Sequence, residues 1–170
     1  MYYDSQMSER WAAKLVKLQR KRIVGRIARE ALALWSVDIP KGVKIGEDFR
    51  LEHRGHGVVI NDNTTVGDHV TIYHNVTIAR SNSWVPVAVT GRAVIEDDVV
   101  LCPGAVVLAG SNGVTVGRGT VLGANSTLCQ STGEWEVWAG SPARRIRRRR
   151  VAGEYDQLAS VRKGVPVPRE

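Results

Sequence analysis

The chain has 170 residues, 43% of them apolar, which suffices for one compact domain with an appendage and excludes two ordinary globular domains. Two cysteines, no secretory signal ahead of residue 35 and no apolar run near the ~20 residues of a membrane span make a reduced, cytoplasmic protein the expectation. The formal charge of +7 is uneven, because "ARRIRRRR" at 143–150 holds six arginines and residues 10–29 carry a second basic group, a pattern that favours phosphate-bearing partners.

In chain order, "SERWAAKLVKLQRKRIVGRIAREALALW" reads as helix, capped near Ser8 with Glu9 in its first turn and Trp11, Leu15 and Leu18 on one face. Gly25 breaks or bends it, which leaves one helix or two. Such a segment either serves oligomerisation and docking or covers the open end of whatever follows.

From Ile39 a period of six takes over. Aliphatics recur at Ile39, Ile45 and Leu51, at Ile60, Val66, Ile72 and Ile78, at Ile95, Leu101 and Val107, and at Val116, Leu122 and Leu128. Four places after most of them stands a small or β-branched residue: Val43, Thr64, Val70, Val76, Val99, Ala105, Thr120 and Ser126. Neither a helix, with apolar spacings of three and four, nor a hairpin meander produces this pattern. It marks an all-β solenoid, a parallel β-helix in which each hexapeptide makes one face of a triangular coil and coils stack about 4.8 Å apart.

Leu51–Ile60 and Val107–Val116 each contain three extra residues, and "ARSNSWVPVAVTGRA" is a longer excursion at about 79–94. Loops pushed out of a regular solenoid commonly carry function. The chain thus divides into a helical segment at 1–36, a solenoid at 37–142 and a basic tail at 143–170. "STGEWEVWAGSPARRIRRRR" is expected to leave the solenoid, and "VRKGVPVPRE" to be mobile.

All four histidines fall between residues 51 and 75. His53 lies two places after Leu51 and His74 two after Ile72, so the period places them in one column on adjacent coils. His56 sits in the insertion and His69 on another face. Cys102 and Cys129 each follow a core aliphatic, where the repeat prefers Gly or Ala, and read as small space-fillers.

"DIPKGVKIGEDFRLEH", "GVVIND", "VGDHVTIYHNVTIA" and "WAGSPAR" resemble the hexapeptide-repeat acetyltransferases of the serine O-acetyltransferase type, and their shorter relatives that acetylate sugars, over about residues 37–147. The resemblance implies a left-handed β-helix, a homotrimer, and direct transfer of acetyl from acetyl-CoA to a hydroxyl of a small acceptor. In that family a histidine is the general base and an aspartate fifteen residues earlier orients it; the matching positions are His53 and Asp38. Near neutrality an imidazole can take a hydroxyl proton, and an aspartate on its other nitrogen fixes the tautomer. Glu52 matches an acidic position beside the base, where it would contact the acceptor.

The chain departs from the family where a second active-site histidine is expected, because Arg92 stands there, and its helical segment is short. These departures raise a sugar hydroxyl beside serine as acceptor, with His74 supplying the second polar contact. For acetyl-CoA the resemblance implies a groove between solenoids passing Ala79, Ala105 and Ala124, with Arg144 and Arg145 pairing with its phosphates. The surplus Arg147–Arg150 reads as a solvated tail or a contact with an anionic surface. Without a recognition motif or a row of interleaved aromatics, nucleic acid is not an expected partner.

Three alternatives stand beside acetyl transfer to an alcohol. One is a trimeric metal-dependent lyase of the solenoid carbonic anhydrase type, suggested by His69 and His74, although no carboxylate orients both rings and no metal is expected. The others are a non-catalytic scaffold and acylation of an amine.

Overall fold

In the computed structural model of the chain, residues 5–19, 25–82 and 91–149 are described, residues 5–10 by backbone alone. Two helices open it, α1 at Ser5–Leu18 and α2 at Gly25–Ala33. Helix α1 thus begins three residues before the expected cap at Ser8, and Gly25 opens a second helix rather than bending a single one. A Cβ at Gly25 would strike the Gln19 carbonyl, so only glycine permits this approach.

The rest is a left-handed parallel β-helix of three sheets. One sheet stacks β1 (Lys44–Ile45), β4 (Thr64–Val66), β7 (Ala93–Ile95) and β10 (Val114–Val116). The second stacks β2 (Arg50–Leu51), β5 (Thr71–Ile72), β8 (Val100–Leu101), β11 (Val121–Leu122), β13 (Glu136–Gly140) and β14 (Ala143–Arg148). The third stacks β3 (Val59–Ile60), β6 (Thr77–Arg80), β9 (Val106–Ala109) and β12 (Thr127–Leu128).

The register aligns the anchors read from the period. Leu51, Ile72, Leu101 and Leu122 form one column, and Ile60, Ile78, Val107 and Leu128 another. All of them are buried, as are Val43, Thr64, Val70, Val76, Val99, Ala105, Thr120 and Ser126 of the second inward set. A six-residue step therefore buries two side chains per face, and the stacked coils form one continuous core.

A solenoid needs its ends covered. At the first coil Ala12, Val16 and Leu32 are buried, and the Gln19 side-chain amide donates to the Ile39 carbonyl at 2.6 Å, pinning α1 to the rim. At the other end the sequence expectation needs correcting. Residues 136–148 stay with the solenoid: β13 continues the second sheet beside β11, with Trp138 below Leu122, and β14 returns antiparallel. Within the expected solvated tail, Arg149 is buried. Its Nη1 donates to the Gly119 carbonyl at 2.6 Å, and its guanidinium lies 5.4 Å from the Trp135 ring centre. Residues 83–90 of the excursion and 150–170 of the tail lie outside the described residues.

Corner positions demand left-handed backbone. Asp48, His69, Asp98 and Gly119 share one corner with φ of 46°, 55°, 60° and 65°. Carboxylates stitch that corner between coils: Asp68 Oδ1 accepts from the Glu47 amide at 2.7 Å and Asp97 Oδ1 from the Asp68 amide at 2.9 Å. The Asp97 carboxyl is held below its ordinary range, chiefly by that backbone bond and then by Arg118, whose Nη2 donates to Oδ2 at 2.6 Å. His69 belongs to this corner, 3.7 Å from Asp48 and 3.6 Å from Asp98.

Candidate active site

The three residues added between Leu51 and Ile60 are absorbed in a 3₁₀ turn, Glu52–Gly55, that leaves the regular corner. His53 and Arg54 hold φ of 54° and 60°, followed by Gly55 at 70°. Left-handed backbone costs a non-glycine residue about 1–2 kcal/mol, so two in succession mark a turn held by its surroundings. The holding bonds run from the Gly57 amide to the Trp35 carbonyl at 3.3 Å and from the Asn75 amide to the His56 carbonyl at 2.7 Å. Helix α1 packs on the turn, and Arg54 lies over the Trp35 ring at 5.9 Å. The His53 side chain is left exposed.

Beneath it the next coil presents Tyr73 and His74. The His53 and His74 ring centres are 5.0 Å apart with planes at 77°, and the Tyr73 ring lies 6.1 Å from His53. The expected column is thus present, although it is reached from two sides. Leu51 pairs with Ile72, which sets His53 opposite His74, while the Asn75 bond to the His56 carbonyl sets the His56 backbone over His74. Glu52 is buried with Oε1 lacking a hydrogen-bond partner, and His74 Nδ1 is likewise buried and unpartnered. Both atoms are closed off from solvent, so neither is open to a ligand in this conformation, and each is a polar group that a shift of the turn would have to uncover before it could be satisfied.

Other predicted positions fall elsewhere. Asp38 is tied by its backbone to Val58 and Ile60, its side chain is exposed, and no hydrogen bond or ion pair joins it to His53. The spacing of fifteen residues therefore brings Asp38 to the first coil's edge without closing a carboxylate–imidazole bond. Arg92 is exposed directly before β7, after the excursion. Ala79 is half-buried in β6 and Ala124 exposed at the corner before β12. Ala105 requires correction as a groove-lining residue. It occupies the inward position of its corner and its side chain is fully buried in the core.

Arg144 and Arg145 are exposed on β14, where Arg145 lies 3.5 Å from Glu136. Cys129 is exposed rather than filling space, whereas Cys102 is half-buried and its thiol is pushed up by that burial. His69 and His74 occupy different corners, and no cluster of three metal-ligating side chains is found among the described residues. A groove of about 500 Å³ lies at the carboxylate corner, lined by Thr65, Gly67, Glu96, Asp97, Arg118 and Glu134, and holds none of these candidates. Tyr73 is the neighbour that the sequence reading missed. Its signal was the register that sets it opposite Glu52, one step before the two histidines.

Comparison with known proteins places this geometry in context. The serine acetyltransferase of Bacillus licheniformis is 33% identical over 139 residues, covering 81% of this chain and 60% of the relative. The chain is similar to the serine acetyltransferases over its hexapeptide-repeat solenoid. The soybean serine acetyltransferase, solved in complex with serine, matches this chain with a TM-score of 0.64 and 26% identity over 79% of this chain and 56% of that one. A serine acetyltransferase solved in complex with CoA shares the fold at a TM-score of 0.59 and 23% identity, covering 79% and 55% of the two chains. No family model matches the chain. The chain spans about 60% of the length of the Bacillus relative.

Proposed function

We propose that the chain transfers the acetyl group of acetyl-CoA to a hydroxyl of a small acceptor, serine-like or sugar, with His53 as general base. The observation that carries this reading is the His53 imidazole, exposed on a strained left-handed turn and backed by His74 at 5.0 Å. The relatives' serine acetyltransferase activity, and the serine and CoA complexes of solved neighbours, support the same chemistry.

In this mechanism both substrates are bound together. His53 takes the acceptor hydroxyl proton as the oxygen attacks the thioester carbonyl. The C–S bond breaks, the imidazolium returns its proton to the departing CoA sulfur, and an ester and free CoA leave a neutral His53. Asp38 is the candidate orienter of the imidazole, and no hydrogen bond or ion pair joins the two in this structure. His74, Glu52 and Arg92 are the candidate acceptor contacts; the unpartnered atoms of His74 and Glu52 are buried, so their use requires the turn to open on acceptor binding.

Acetyl-CoA would lie between neighbouring solenoids of a homotrimer, along Ala79 and Ala124, with Arg144 on a phosphate. Arg145 is already drawn toward Glu136 and contributes less. Burial raises the Cys102 thiol, which disfavours it as a nucleophile, and direct transfer from acetyl-CoA is the proposed route.

Acetyl-CoA-dependent release of free CoA in the presence of serine, homoserine, and free and nucleotide-linked sugars tests the reading. A saturable rate with one class supports it and identifies the acceptor. Failure of every hydroxyl acceptor, together with no protection of the fold by CoA against heat, would leave the scaffold reading in its place.

A further inference from the structure

The exposed face of the two helices is unusual for a solenoid cap. Of the five exposed large apolar side chains among the described residues, three lie here: Trp11 at 57%, Ile27 at 70% and Leu34, directly after α2, at 83% exposed. The same two helices carry Lys14, Lys17, Arg26 and Arg29, all exposed, against one exposed acidic residue, Glu30, among their described side chains. Four cations less one anion give these helices a charge of +3 among their described side chains, and none of the five forms an ion pair with another described residue. The Lys14 ammonium rests 5.7 Å from the Trp11 ring centre. The buried sides of the same helices, through Ala12, Val16, Ala28 and Leu32, are fully used in closing the solenoid.

We propose that this helix face is a contact surface for an anionic lipid bilayer. Trp, Ile and Leu among Lys and Arg are the side chains that settle at a bilayer interface, the aromatic and aliphatic groups below the head groups and the cations among the lipid phosphates. No helix among the described residues is long and apolar enough to cross a membrane, so the pair lies on the surface rather than spanning it. Charge decides against a second copy of the chain as the occupant. A two-fold contact sets the same patch against itself, which would press +3 against +3 across the interface.

The placement has a consequence that rests on the acetyl-transfer reading. Helix α1 packs on the turn that carries His53, so a bilayer held by the helices lies near the base. Hydroxyls borne on lipid-anchored head groups are then the acceptors it meets.

Vesicle binding tests the surface without requiring any acetyl transfer. The full chain is sedimented with phosphatidylglycerol–phosphatidylcholine vesicles and with phosphatidylcholine vesicles alone, while CoA release with a soluble acceptor is followed separately. Binding is expected only with the anionic vesicles. It should fall about tenfold or more in W11S/I27S/L34S, and similarly in K14E/R26E, with salt weakening the wild type. The pair R147A/R148A, on the distant basic strand, should stay within about twofold of wild type. Circular dichroism shows that each variant is folded, and if the apolar triple unfolds, K14E/R26E carries the test.

Three results would overturn the proposal. The first is no binding to anionic vesicles. The second is binding lost in R147A/R148A but kept in the helix variants. The third is an oligomer that W11S/I27S/L34S dissociates in sedimentation velocity, which would make the face a protein interface.

Discussion

Arg149 distinguishes a structural cation from a solvated one within a run of arginines. Replacement by Met keeps most of the side-chain stem and removes the guanidinium. The change breaks the bond to the Gly119 carbonyl at 2.6 Å and the stacking on Trp135. A buried hydrogen bond from a charged donor contributes about 1.5–3 kcal/mol, and the contact with the ring adds about 0.5–1 kcal/mol. Together they predict a loss of about 2–4 kcal/mol, or roughly 5–15 °C in the unfolding midpoint for a chain of this size. Arg148 is the internal control, since it is exposed and its side chain forms no hydrogen bond or ion pair with the described residues, and Arg148→Ala should change stability by less than about 0.5 kcal/mol. Thermal unfolding followed by circular dichroism reads both. Equal midpoints for the two variants would refute the assignment of Arg149 as the closing element of the last coil.

Three further predictions come from other parts of the fold. Gly119→Ala puts a Cβ into the Trp135 ring at a left-handed position, so it should cost about 2–4 kcal/mol; an unchanged urea midpoint would contradict the packing at this corner. The Asp97 carboxyl has a folded-state pKa below its ordinary value, first through its bond to the Asp68 amide, so its stabilisation is present above the unfolded pKa and lost as pH falls through the folded one. Asp97→Asn should therefore be less stable than wild type at pH 7 and converge with it in acid, and a gap that widens on acidification would show the sign to be wrong. Arg144→Met should raise KM for acetyl-CoA about tenfold with kcat nearly unchanged, and steady-state kinetics in which kcat alone falls would remove Arg144 from the cofactor groove.

The solenoid was legible because its period is its structure. Each of the anchors from Ile60 to Leu128 had to point inward for the coils to stack, and a six-residue step is the only spacing that does this on every face. The final coil was hidden because Trp138 takes the place of an aliphatic anchor and β14 reverses direction, which a parallel repeat does not announce. Arg149 could not be separated from Arg147 and Arg148 by composition, since burial there depends on Trp135 and on an open Gly119 carbonyl contributed by the preceding coil.

The site was legible in part for a similar reason. His53 and His74 followed from Leu51 and Ile72, whose register is fixed by core packing. The conformation of the inserted residues was not, because three extra residues can be absorbed in many ways, and here they form consecutive left-handed positions that project His53 outward. A separation of fifteen suggested Asp38 as partner, but distance along the chain does not set a side-chain rotamer, and no hydrogen bond or ion pair joins the carboxylate to the imidazole. Ala105 shows the converse, since its small size suited a groove while its corner position placed it in the core.

The central claim is that His53 is the base. With an acceptor that supports CoA release by the wild type, His53→Ala should lower kcat by at least about 10²-fold while leaving the affinity for acetyl-CoA, measured by calorimetry, within about twofold. Turnover near that of the wild type in a folded His53→Ala protein would contradict the account.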